Sequence, residues 1–183
     1  MRSSRMYLSI DIGTKNLGYA VFDLAEAGLA EAGLEFGLYN IEEHLKGSGE
    51  IVVERCKVIK SFFKSLNVER FDGVIIERQV NNNVVAMNLM YAIASEALNY
   101  TSNVIIFAPL KKFKTFGIKY STKKKEHKKL SVEIAGKLLI THFPELCEVY
   151  RAFKKKDDIA DAINQLFTVL YQQKVSNITL QTP

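Results

Sequence analysis

The run Gly73-Val74-Ile75-Ile76 is continuously apolar, ends on Glu77, and is flanked by stretches of helical spacing. A short run without polar alternation fits a strand covered on both faces. The sheet that it joins must therefore carry helices above and below. The chain before it has a different pattern. Tyr7 to Ile12 alternates as a half-buried strand does, Gly13 breaks it, and Leu17 to Asp23 reads as a second strand returning through a turn at Gly13 to Asn16. Leu24 to Gly33 repeats Leu-Ala-Glu-Ala-Gly, too short for a repeat architecture, and reads as a loop into a third strand, Leu34 to Ile41.

Further on, Val52, Cys56, Ile59, Phe63 and Leu66 recur at spacings of three and four and predict an amphipathic helix over Ile51 to Leu66. The predicted strand Phe71 to Glu77 is followed by a helix from about Asn83 to Tyr100, with Asn81, Asn82 or Asn83 as its cap. Asn103 to Ala108 is a short strand closed by Pro109. Ser121 or Thr122 is expected to cap a helix reaching about Thr141, and Pro144 interrupts. The last helix begins near Asp157, with Ile159, Ile163, Leu166, Phe167 and Leu170 along one side, and the final nine residues read as a loose tail. The order β-β-β-α-β-α-β-α-α predicts an α/β fold: an antiparallel meander, then parallel strands added to one mixed five-stranded sheet flanked by helices.

The 183 residues suit a single domain over 1–183. An apolar fraction of 48% with 25% charged residues excludes a disordered or fibrous chain. Apolar runs such as Leu89 to Ala94 are too short to span a membrane. No signal-peptide stretch follows Met1 to Arg5. Cys56 and Cys147 stand far apart, without metal-ligand spacing, and are expected to be buried, reduced thiols.

The net charge of +5 is unevenly spread, since Lys111 to Lys129 holds nine lysines and a histidine against one acid, Glu126. Such a segment suits a polyanionic substrate, although a solvated helix face would have the same composition. Four acids stand out beside it. Asp11 lies between Ile10 and Ile12, where a charge is costly to desolvate without a partner. Glu77 ends a strand of pure hydrocarbon, and in this element order the first and fourth strands would be neighbours. Asp158 and Asp161, three apart, project from one side of the last helix's first turn. Singly, each has a plain explanation: Asp157, Asp158 and Asp161 suit a helix N-terminus, and Glu77 could pair with Arg78. Together they suit Mg²⁺, which takes hard oxygen ligands and leaves positions for phosphate oxygens. Two such ions about 4 Å apart form a phosphodiester-cleaving site.

Three motifs carry a resemblance: Ser9-Ile10-Asp11-Ile12-Gly13-Thr14-Lys15-Asn16-Leu17-Gly18, Val74-Ile75-Ile76-Glu77-Arg78-Gln79, and Lys155-Lys156-Asp157-Asp158-Ile159-Ala160-Asp161-Ala162. They resemble the RuvC-like Holliday junction resolvases, most closely those of poxviruses, within the RNase H-like superfamily. The second and third are also similar to fungal mitochondrial resolvases. The resemblance implies an RNase H-like fold and a homodimeric, Mg²⁺-dependent endonuclease with two metals per site, for which Mn²⁺ can substitute. Such an enzyme nicks two strands of a four-way DNA junction symmetrically, and its setting is a viral replication site in the host cytoplasm, where concatemeric genomes are resolved.

Carried onto this chain, Asp11, Glu77, Asp158 and Asp161 are the catalytic metal ligands, with Asp157 an alternative to Asp158. Candidate DNA contacts are Lys15, Arg78, Gln79, Lys112, Lys114, Lys123, Lys124, Lys125, Lys128 and Lys129, all suited to backbone phosphates and so to reading junction shape more than sequence. The helix from Asn83 to Tyr100, with Met87, Leu89, Met90, Tyr91 and Ile93, resembles the family's dimerisation helix in position. Two other readings compete. Asp11-Ile12-Gly13-Thr14 also opens the first phosphate loop of actin-like ATPases, but those need a second lobe and a later glycine-rich loop. A nuclease of this fold acting on RNA or other branched DNA, or a non-catalytic nucleic-acid-binding module, would carry the same lysines.

Overall fold

Strand β1 (Arg5–Ile12) occupies the middle of the sheet because it finds a partner on each edge. It runs antiparallel to β2 (Asn16–Leu24), from Arg5 opposite Leu24 to Ile12 opposite Leu17, with the turn closed by the Gly13 amide on the Asn16 carbonyl at 3.0 Å. Beyond β2 lies β3 (Gly33–Asn40), also antiparallel. On the other edge β1 runs parallel to β4 (Gly73–Glu77), from Tyr7 beside Gly73 to Ile10 beside Ile76, and β4 runs parallel to β5 (Val104–Phe107). The order β3-β2-β1-β4-β5 is the mixed five-stranded sheet that the element order predicts. This computed structural model describes residues 4–25, 31–45, 50–80, 82–117 and 124–173, with Lys124 described at its backbone only. The expected helix cap at Ser121 or Thr122, the tail after Gln173, Asn81 and Lys123 lie outside the described residues.

The period of two along each strand sorts side chains into two cores. Leu8, Ile10, Ile12, Val74 and Ile76 point to one face and pack with α2 (Ile51–Ser65) and α3 (Val84–Ala97), which follow the short α1 (Ile41–His44) and β4 respectively. Tyr7, Ala20, Phe22, Ile75 and Phe107 point to the other face. There they meet α4 (Leu110–Thr115), α5 (Lys124–His142), a 3-10 turn at Pro144–Leu146, α6 (Cys147–Ala152) and α7 (Asp157–Gln172). Asp11 and Glu77 share the parity of Tyr7 and Ile75, so both point toward α7.

Asn83 caps α3 as expected, its side-chain oxygen accepting the Ala86 amide at 3.2 Å. Elsewhere the outcome differs from the prediction. In α2 the buried residues are Val58, Ile59, Phe62 and Phe63, while Ile51, Val52, Val53 and Cys56 stand in solvent. The core-facing stripe thus begins only at Val58, and of the two expected buried thiols only Cys147 is buried. Pro109 closes β5 but takes helical dihedrals and starts α4, as proline's fixed φ allows. Helix α7 is buried nearly all round between Ile159 and Leu170, because the sheet lies on one side of it and α5 on another.

Candidate metal centre

The parallel register of β1 and β4 sets the site. One step beyond the last pair, Ile10 and Ile76, come Asp11 and Glu77, side by side at the carboxyl ends of two central strands. Asp161, one turn into α7, enters from above. One carboxylate oxygen from each of Asp11, Glu77 and Asp161 lies within 4.8 Å of the other two. Asp11 is buried, and Glu77 and Asp161 are partly covered.

Three carboxyls this close are electrostatically expensive. Burial drives Asp11 well above its usual range, and the Glu77 and Asp161 charges push it the same way against the weaker pull of Lys112. Glu77 is also raised, first by burial, with Lys112 and a hydrogen bond from the Asp11 carboxyl holding it down. Burial and mutual repulsion thus both favour the neutral form, more strongly at Asp11 than at Glu77. Gln79 Nε2 donates to the other side of Glu77 at 3.2 Å.

Lys112 is the residue that composition misplaced. Its position in the lysine-rich segment suggested a surface phosphate contact, yet it is 4% exposed. Helix α4 turns it inward, where Nζ donates to Asp161 Oδ1 and lies 3.9 Å from Glu77 Oε1. Burial alone would lower its pKa, but the Asp161 and Glu77 charges outweigh this and the ammonium is held above its ordinary value. One fixed positive charge thus faces three acids.

The two remaining acids stand at the entrance of α7. Asp158 Oδ2 accepts from Lys155, and Asp157 Oδ2 accepts from Lys128. Asp157 lies below its usual range because that lysine outweighs the upward effect of partial burial. Neither belongs to the grouping of three. Lys15 is exposed and 3.3 Å from Glu42, Arg78 is exposed, and Lys129 lies 3.8 Å from Glu133. Lys111, Lys114 and Lys125 are exposed. A groove beside Asp157 is lined by Lys128, Lys129, Lys154 and Lys156. Lys154 and Lys156 were not singled out as DNA contacts from sequence, although the charge run before Asp157 was the available signal.

The donor set fits a hard divalent cation: three converging carboxylates, oxygen ligands only, whose mutual repulsion a cation would relieve. Charge and geometry together define a site for positively charged, oxygen-seeking ions next to basic surfaces.

A family model described as Poxvirus A22 protein matches residues 5–172. No curated protein matches the chain. Among solved structures it is similar to the Fowlpox virus resolvase in complex with substrate Holliday junction DNA, at 20% identity and a TM-score of 0.66, covering 93% of this chain and 98% of that one. A second structure of the Fowlpox virus Holliday junction resolvase matches at 18% identity and a TM-score of 0.68, covering 91% and 99%. Thermus thermophilus RuvC in complex with a Holliday junction substrate matches at 16% identity and a TM-score of 0.59, covering 93% and 96%. The fold is RNase H-like.

Proposed function

We propose, for a chain that belongs to the Poxvirus A22 protein family, that it is a divalent-metal-dependent endonuclease that resolves four-way DNA junctions by paired nicks. The observation that carries this reading is the convergence of Asp11, Glu77 and Asp161 on one point at the carboxyl ends of β1 and β4. The fold that builds it is similar to those of resolvases solved with junction DNA.

In this reading Asp11, Glu77 and Asp161 would hold Mg²⁺ or Mn²⁺, two ions per site. Asp158, which here accepts from Lys155, would be the fourth ligand, with Asp157 its alternative. The chemistry that such ions supply is activation of water and charge stabilisation at the leaving oxygen. The chain's own groups do the rest. Burial keeps competing water off Asp11, Gln79 holds the Glu77 carboxylate, and Lys112 keeps the cluster from carrying three uncompensated charges. Lys15, Arg78, Gln79, Lys114, Lys123, Lys124, Lys125, Lys128 and Lys129 are the candidates for phosphate contacts, while the buried Lys112 serves the carboxylate cluster instead. A homodimer would present two such sites to one junction.

The test is cleavage of end-labelled four-way junction, linear duplex and RNA by the purified chain, with Mg²⁺ and with chelator. The expected result is metal-dependent, paired nicking of the junction. Asp11→Asn should bind the junction in chelator as the wild type does and lose at least ~100-fold in cleavage, the order that removing a metal ligand implies. Undiminished cutting by that variant would sink the assignment, and preference for RNA would redirect it.

A further inference from the structure

Asp161 Oδ1 accepts a second donor besides Lys112, the hydroxyl of Ser131 on α5. Ser131 is 1% exposed, and its hydroxyl in turn accepts from Asn164 Nδ2 at 2.8 Å, while the same Nδ2 donates to the Ser131 carbonyl at 2.8 Å. We infer that Ser131 and Asn164 are positioning residues of the metal centre. Asn164 aims the Ser131 hydroxyl, and the hydroxyl holds the Asp161 carboxylate turned toward Asp11 and Glu77. The inference rests on the metal-site reading above.

The direction of the relay follows from valence. A backbone carbonyl can only accept, so the Asn164 amide must present its nitrogen to Ser131; the flipped amide would set two oxygens against each other. Ser131 Oγ, already an acceptor from that nitrogen, has its single proton left for Asp161. A buried helix serine would ordinarily return that proton to a carbonyl one turn back along its own helix. Here it crosses to α7 instead. The arrangement has a cost, because Asn164 Oδ1 is buried without a hydrogen-bond partner among the described residues. Such an orphan is tolerated where the group's other end is needed.

Holding α7 in place does not require this relay. Gln165 Nε2 donates to the Ile10 carbonyl at 2.9 Å and the Ile75 carbonyl at 3.3 Å, and Ser9 Oγ donates to the Ala162 carbonyl at 2.7 Å. These bonds tie the helix to β1 and β4 directly beside Asp11 and Glu77. What they leave undetermined is the rotation of the Asp161 carboxylate, which Ser131 fixes from α5 together with Lys112 from α4. Hydrogen bonds to ligating carboxylates commonly change metal affinity by about 10- to 100-fold.

The test is calorimetric titration of the DNA-free full chain with Mn²⁺, together with urea unfolding in chelator, junction binding in chelator, and cleavage across a Mn²⁺ series. Ser131→Ala should weaken Mn²⁺ binding about tenfold, leave junction binding in chelator unchanged, and recover its cleavage rate at high Mn²⁺. Asn164→Asp keeps the side chain's size but replaces the donor with an acceptor that draws the Ser131 hydroxyl away, and should weaken Mn²⁺ in the same direction. It also serves if Ser131→Ala folds poorly. Wild-type Mn²⁺ affinity in either folded variant, or a cleavage defect that high Mn²⁺ does not repair, overturns the relay. Absence of Mn²⁺ binding by the wild type overturns the metal-site reading and the relay with it, a pattern distinct from the failure of the relay alone.

Discussion

Lys112 carries an ammonium into a site that already holds three carboxyls. Its charge is worth most when nothing else positive is present, because breaking a buried ion pair strands the remaining charges in low dielectric. Lys112→Met keeps the volume and removes the charge. In chelator this variant should lose about 3 kcal/mol of stability to urea. Mg²⁺ should return more stability to it than to the wild type, since the cation replaces the missing charge. Equal stability of the two proteins in chelator would show that the ammonium does not neutralise the cluster. At the same scale Asp11 was legible from sequence, as a charge between two isoleucines in a strand. Lys112 was not, because one lysine among nine carries no mark of being the buried one.

Among the elements, α7 does most to assemble the site, and β2 admits it. A side chain at Gly18 would overlap the carbonyl of Asp158, so the first turn of α7 rests on bare backbone. Gly18→Ala should push that turn outward. A loss of about 1 to 3 kcal/mol, the usual range for overpacking, is expected together with weaker metal binding. A variant with wild-type stability and metal affinity would mean that the helix can shift at no cost. The other end of the α5–α7 packing holds a titratable ring. The His142 ring stacks on Phe167 with centroids 5.8 Å apart, and burial lowers its pKa below the ordinary 6.5. A depressed histidine favours the fold while neutral: that stability is present above 6.5 and is lost as pH falls toward and through the lowered folded value. His142→Phe should flatten the decline in stability between about pH 7 and 5, a window set by the histidine range. An unchanged acid limb would assign the decline to other groups.

For the molecule as a whole, the question is how two sites could meet one junction. Val84, Tyr91 and Leu98, seven residues apart on α3 and its C-cap, are 64%, 59% and 64% exposed, while the opposite side of the helix is buried. That spacing gives one continuous apolar line, as a helix–helix seam requires. In the proposed homodimer this line pairs with its copy. The double substitution Tyr91→Glu and Leu98→Glu should yield monomers by sedimentation and replace paired nicks with isolated ones. A variant that remains dimeric would place the interface elsewhere.

Periodicity and turn signals in the chain were enough for the sheet and its layers of cover: alternation for β1, turn-bounded runs for β2 and β3, an unbroken apolar run for β4, and helical spacing between strands. From that order the adjacency of Asp11 and Glu77 follows, since register and parity are properties of neighbouring strands. Asp161 was legible for a similar reason, standing in the first turn of a helix that had to cross this face. What surrounds them came from packing. Which lysine is buried, that Lys128 pairs with Asp157, and that Ser131 reaches Asp161 from another helix all depend on contacts between residues 29 or more apart in the chain. No local pattern encodes such contacts; they exist once α4, α5 and α7 have packed over the same end of the sheet.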